Sequence, residues 1–277
     1  MGRGSSKAGG GGGTTFKPLQ DDFPEAFADG VNFEASGDVD HNYRTTSRSL
    51  QRQWDQFTQS YQSGITAADE AAMMKDWDSR TGNLYGYVRT TNSFEINKAL
   101  YKAQDGMTDD QIFTRTDRYG VKRDLQTVQT MDKAINNHVT QADASYTRFT
   151  SPNSVQRTYG LSDAEMNLIK QAGSMDSAQL AQLNKALSGK TSFSKAYTST
   201  SANRSMNAFS NPNAKQSKGY IIERKLNVPK GTKAYAVQKN AQESEVIFGR
   251  NMKTKLSHVT VGSDGHIVFH EVYDGYK

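Results

Sequence analysis

The chain contains no cysteine. That absence excludes disulfides, thiolate zinc sites, iron–sulfur clusters and a thiol nucleophile. Proline is scarce, at 5 in 277 residues. No apolar run approaches the roughly 20 residues of a membrane helix, so no membrane partner is expected. The N-terminus is rich in Gly and Ser and lacks the apolar stretch of a signal peptide. A cytoplasmic location is therefore expected, in a bacterium or in a target cell after delivery. Neither G-x-x-x-x-G-K-[ST] nor G-x-G-x-x-G occurs, so the common phosphate-cradling loops are missing. Neither sign of charge dominates: 34 Lys and Arg face 29 Asp and Glu, a net charge of +5.

Aromatic residues are plentiful. The 12 Phe, 13 Tyr and 2 Trp supply apolar area for a core despite a mean hydropathy of −0.77. Charge is unevenly placed. Residues 1–60 carry 6 bases against 8 acids, a net −2, which leaves +7 on residues 61–277. Residues 1–15 are nearly devoid of side chains and read as a disordered tail. Gly2 and Ser6 match a myristoylation pattern, but a plain flexible tail explains them better. Residues 16–63 read as an arm that docks a few aromatics, with Phe16, Phe23, Phe27 and Phe33 as candidates. Residues 64–277 read as the folded domain.

Helical signals come first. Thr66 precedes good helix formers from Ala67 to Trp77, and Ser93 to Tyr101 reads as a second helix. Thr108 with Gln111 has the form of a capping box. Leu125, Val128, Met131 and Ile135 recur at helical spacing and predict an amphipathic helix from Arg123 to His138. Ser162 with Glu165, and Asp176 with Gln179, open two more, the last ending before Gly189. Short β-like runs follow around Phe193, Tyr197, Tyr220, Tyr235, Val246, Val259 and Ile267, with a hairpin turn at Ser263 to Gly265. Helices first and strands second predict an α+β fold. No internal repeat is present, and oligomeric state is not readable.

The histidines, His41, His138, His258, His266 and His270, lack metal-ligand spacing and read as surface or edge-strand residues; no metal is expected. Glu243-Ser244-Glu245 stands directly before the strand Val246 to Phe248. Residues two apart in a strand share a face, so the two carboxylates would enter one site. One could stabilise a cationic transition state while the other handles a proton. Alone, the pair reads better as two acids on a solvated strand edge.

Context narrows that choice. Upstream lie Ser145-Tyr146-Thr147-Arg148-Phe149 and Ala196-Tyr197-Thr198-Ser199-Thr200-Ser201. The order Arg, then Ser-Thr-Ser, then Glu-x-Glu resembles the mono-ADP-ribosyltransferases of the Arg–Ser–Glu class, such as clostridial binary-toxin enzyme components and their phage and bacterial relatives. Ile65 to Glu70, Trp77, and Tyr87 to Leu100 resemble that family's entry region. The resemblance implies a helical part followed by a β-rich core of two packed, roughly perpendicular sheets, and NAD as co-substrate.

It also implies roles. Arg148 would bind the NAD phosphates, and the backbone of Phe149 would meet the nicotinamide amide. Ser199 would hold the catalytic Glu245 by a hydrogen bond, with Thr200 and Ser201 shaping the strand end. Glu245 would bind a ribose hydroxyl and stabilise the sugar cation as nicotinamide leaves, and Glu243 would orient or deprotonate the acceptor. In the loop Ala202 to Lys218, Arg204 would reach a phosphate. Phe209 would stack on the nicotinamide, or serve as a core aromatic. The turn Gln238 to Gln242 resembles the target-recognition turn but lacks the aromatic that arginine-modifying members often carry. The Glu-x-Glu form favours protein arginine as acceptor. The basic +7 segment, with Lys239 in the turn, keeps a nucleic-acid acceptor as the alternative. A third reading is a non-catalytic phage interaction protein that keeps only the fold; the intact Arg148, Ser199, Glu243 and Glu245 speak against it.

Overall fold

A computed structural model describes Arg52, Trp54, Asp55, Thr58 and residues 92–140, 143–202, 222–237, 245–262 and 265–277. The tail, most of the arm, the helix expected from Ala67 to Trp77, Glu243, Arg204, Phe209 and the turn Gln238 to Gln242 lie outside the described residues.

Helices α1 (Asn92–Lys102), α2 (Asp109–Ile112) and α3 (Arg123–Asn136) come first. Then come β1 (Ala144–Thr150), α4 (Pro152–Tyr159), α5 (Asp163–Gln171) and α6 (Ser177–Leu187). Strands β2 (Thr191–Ser194), β3 (Thr198–Ser201), β4 (Ile222–Val228), β5 (Ala234–Ala236), β6 (Glu245–Phe248), β7 (Met252–Val261) and β8 (Ile267–Tyr276) follow. The α+β reading holds. The three capping boxes form as the sequence predicts, at Thr108 with Gln111, Ser162 with Glu165, and Asp176 with Gln179.

Helix α4 is an addition to that reading. Ser151 caps it by accepting from the Ser154 N–H, Pro152 opens it with its fixed φ, and Gly160 closes it at φ 61°. The last two strands are longer than the apolar runs that announced them, because β7 and β8 carry polar residues on their half-exposed positions.

The strands hydrogen-bond in the order β2-β7-β8-β4-β1-β3-β6-β5. Between β1 and β3 the ladder narrows to one residue pair, Thr147 with Ser201. The sheet thus divides into a five-stranded half and a three-stranded half. Helices α1 and α3 cover one face of the three-stranded half, where Ile96, Val128 and Met131 pack on Tyr197, Tyr235 and Ile247. Its other face, with Val246 and Phe248, packs on Tyr146, Leu226 and Val228 of the five-stranded half. The Tyr146 and Phe248 rings meet edge-on at 5.2 Å in that seam. Trp54 is wholly buried in the same seam, and its indole N–H donates to the Val237 carbonyl at 2.8 Å. Helices α4 to α6 pack on Ile222, Leu256, Val259 and Phe269.

Arg250, in the turn after β6, ties the helices to the sheet. Its guanidinium bonds the Asp109 carboxylate at 2.6 and 3.0 Å and reaches Asp132 as well. Tyr197 donates to the same Asp132 at 2.6 Å. In the five-stranded half, Arg224 donates to both oxygens of Glu271, at 2.6 and 2.9 Å, and Tyr159 donates to Glu271 at 2.5 Å. All three side chains are buried. Burial works against the Arg224 charge, and the Glu271 carboxylate more than offsets it, holding the guanidinium firmly protonated.

Removing one partner of such a pair strands a buried charge. Glu271→Ala is expected to lower stability by about 3–5 kcal/mol. Urea unfolding checks this; a loss below ~1 kcal/mol would show the pair to be dispensable.

His258 and His270 stack face to face between β7 and β8, with ring centroids 4.1 Å apart. Burial pushes His258 down to about 4. Burial, then His258 and Lys225, push His270 down to about 3. Both are neutral in the folded protein near pH 7, whereas a free imidazole titrates near ~6.5. Between roughly pH 6.5 and 4 the unfolded chain therefore binds protons that the folded chain refuses. Their contribution is complete above about pH 6.5 and is lost as pH falls. Tm is expected to drop from pH 7 to 4.5, and to drop less in the His258→Gln, His270→Gln double variant. Parallel Tm profiles for the two proteins would refute this origin.

Candidate functional site

The site grows from the register of four strands. Thr147 of β1 stands opposite Lys225 of β4 on one side and Ser201 of β3 on the other, and Ser201 stands opposite Glu245 of β6. These residues form one row on one face of the sheet. The next row holds Ser199, Ile247 and Tyr235 on β3, β6 and β5. Glu245 is thus a diagonal neighbour of both Ser199 and Tyr235, a distance that a carboxyl side chain can span.

Strand β3 reads Thr-Ser-Thr-Ser, and its alternation sorts the hydroxyls. Thr198 and Thr200 are buried, whereas Ser199 is exposed. Thr200 donates its hydroxyl to the Val246 carbonyl at 2.8 Å and so supports the strand pairing. Ser199 donates to Glu245 Oε1 at 2.5 Å. Glu245 is 8 % exposed, and a carboxylate so placed needs donors to offset lost hydration. The Glu245 main chain is fixed too, since its carbonyl accepts from the Val237 N–H at 2.9 Å.

The structure brings Ser199, Ser201 and Glu245 together. Arg148 is half-buried on β1, one residue beyond Thr147 and opposite Arg224. The pleat puts it on the Tyr146 side, the side of β1 that meets the three-stranded half. The backbone of Phe149 pairs with Glu223. Tyr235 is a neighbour of Glu245 that the sequence does not reveal as one. Its phenol is pushed well up, first by burial and then by the Glu245 carboxylate. The only sign of it is a β-like run whose register with β6 is hidden by the turn between them.

A carboxylate held by a hydroxyl at a strand end, beside a sheet junction, suits stabilisation of a positively charged sugar; the register puts Arg148 on the other face of β1 from Thr147 and Glu245. Among the described residues no group of three or more His, Asp or Glu side chains is placed to hold a metal. Two cavities of about 270 and 370 Å³ flank Arg250 and include neither Ser199 nor Glu245. Among the described residues no helix is long and apolar enough to cross a membrane.

No curated protein matches the chain. Among solved structures, C3stau2 from S. aureus, determined with NAD, aligns at a TM-score of 0.55 and 19% identity, over 88% of this chain and 100% of that one. Plx2a, an ADP-ribosyltransferase toxin from Paenibacillus larvae, aligns at 0.52 and 14% identity, over 82% and 96% of the two chains. An ADP-ribosyltransferase from Clostridium botulinum aligns at 0.50 and 16% identity, over 83% and 96%. Likeness at these identities is a likeness of fold. The model of the ADP-ribosyltransferase exoenzyme family matches residues 51–269, a span that holds Trp54, both halves of the sheet and the Ser199–Glu245 pair. That match settles the family: the chain belongs to the ADP-ribosyltransferase exoenzymes and is a transferase that acts on NAD.

Proposed function

We propose that the protein cleaves the bond between nicotinamide and ribose in NAD and transfers the ADP-ribose to an arginine side chain of a protein. The hydrogen bond from Ser199 to Glu245 carries this reading. Breaking that glycosidic bond builds positive charge on the sugar, and a carboxylate fixed beforehand stabilises it without reorganisation. Ser199 keeps Glu245 Oε1 in place, and the carboxylate so fixed is assigned to the ribose. Ser201 and Thr200 hold the strand end that carries the pair.

The residues present fit NAD. Arg148 offers a guanidinium fork for phosphate oxygens, and in the loop Arg204 offers a second cation and Phe209 an aromatic face. The backbone of Phe149 is assigned to the nicotinamide amide. Glu243 precedes Glu245 by two residues and is assigned to the acceptor, whose guanidinium it would orient or deprotonate. The +7 on residues 61–277 suits a pyrophosphate in the first place. It also supports the second reading, in which the acceptor is nucleic acid.

Glu245→Gln keeps the shape and removes the charge. Both nicotinamide release and transfer are expected to fall by on the order of 10²–10³-fold, the loss seen when one charge-stabilising group is removed. Ser199→Ala leaves Glu245 in place but loosens it, and a loss of roughly 10- to 100-fold in kcat is expected. Nicotinamide release from NAD by the purified variants measures both. Wild-type rates in Glu245→Gln would sink the assignment.

The acceptor is tested with labelled NAD and a cell lysate. Label removed by protease and absent with Glu243→Gln, while that variant still releases nicotinamide, is the expected result. Label removed by nuclease instead would replace protein with nucleic acid.

A further inference from the structure

We infer that Tyr235 is a positioning residue for Glu245, forming the wall of the site opposite Ser199. The inference rests on the reading of Glu245 as the group that stabilises the reacting sugar. Ile247 stands between Ser199 and Tyr235 in one cross-strand row, and Glu245 lies two residues before Ile247 on the same face. The carboxylate is therefore flanked from both neighbouring strands at equivalent diagonal positions. On one flank Ser199 donates at 2.5 Å. On the other stands a phenol in the buried core, 3 % exposed.

Tyr235 has little freedom to leave. Its ring packs on the His138 ring, with centroids 5.1 Å apart and planes tilted by 60°. His138 is itself held, because its Nδ1 lies 2.5 Å from the Ala134 carbonyl in α3. A carbonyl only accepts, so Nδ1 carries the proton there. The chain of support runs from α3 through His138 to Tyr235 and ends at Glu245.

The chemistry of the wall matters as much as its shape. Burial, and after it the charge of Glu245, keep the phenol protonated. Glu245 thus has a neutral polar group on this flank. A polar neighbour favours the charged form of a buried carboxylate relative to an apolar one. The same wall limits the rotamers open to the side chain, so the carboxylate keeps its aim.

Tyr235→Phe retains the ring and removes the hydroxyl. Nicotinamide release from NAD is measured against pH for the full chain, together with the melting temperature and with Glu245→Gln as control. The expected result is a kcat lower by about tenfold, with KM for NAD within about twofold, the pattern of an interaction made mainly in the transition state. The acid limb of the kcat profile is expected to move up by roughly half a pH unit, since the charged carboxylate has lost its polar neighbour. Unchanged kcat and an unchanged limb overturn the inference. So does a loss of kcat that follows the folded fraction while the limb stays in place. If Glu245→Gln is itself active, the proposed function fails, whereas an inactive Glu245→Gln beside a normal Tyr235→Phe removes only the role of Tyr235.

Discussion

The single residue pair between β1 and β3 is the constraint on which the rest of the molecule depends. Among the described residues, Thr147 and Ser201 are all that joins the five-stranded half to the three-stranded half by a ladder. A wide ladder would force the halves into one surface. A one-pair bridge lets the three-stranded half turn and bury Val246 and Phe248 against Tyr146 and Leu226. The row that crosses the bridge runs from Lys225 through Thr147 and Ser201 to Glu245. The candidate site therefore sits where the sheet changes direction. Residues from both halves converge there without either half being interrupted.

Such a junction needs stiff flanks. On the five-stranded side the stiffness comes from a buried charge network, an unusual choice. Arg148 and Arg224 face each other across β1 and β4, an arrangement that repels unless it is compensated. Glu271 provides the compensation by binding Arg224 with both oxygens, while Tyr159 satisfies it further. The charge of Arg224 is thus matched inside the protein. Arg148, one strand away, bears on the side of β1 that faces the three-stranded half. Arg224 thus serves packing, and the proposed reaction assigns Arg148 to an anion.

Much of this was legible in the sequence, and the reasons are local. The capping boxes at Ser162 and Asp176 are contained within four residues each, so the helices they open were readable. The family resemblance pointed to Ser199 and Glu245, whose side chains are hydrogen-bonded in the structure. Long-range facts were not readable. Helix α4 carried its Ser-Pro opening and its Gly stop in plain view, but its eight residues place only Val155 and Tyr159 on the buried face, too few to announce a helix. Trp54, grouped by sequence with the arm, is part of the core because its partner Val237 lies 183 positions away. Tyr235 needed the β5–β6 register, which no local pattern contains. The roles given to Arg148, Phe149, Arg204, Phe209 and Glu243 come from the family resemblance, and they stand as proposals.

Register explains why so short a ladder can serve a reaction. Strands β3 and β6 share four residue pairs, from Thr198 with Phe248 to Ser201 with Glu245. A slip by one residue would turn Glu245 to the opposite face and separate it from Ser199. Four pairs alone hold register weakly, so the ladder is pinned at both ends. At the far end Tyr197, just before β3, and Arg250, just after β6, meet on Asp132 of α3. At the near end Trp54 holds the Val237 carbonyl while the Val237 N–H holds the Glu245 carbonyl. A helix and a distant tryptophan thus set the position of one carboxylate. The precision of that carboxylate is a property of the whole domain, and the exposed Ser199 is only its last contact.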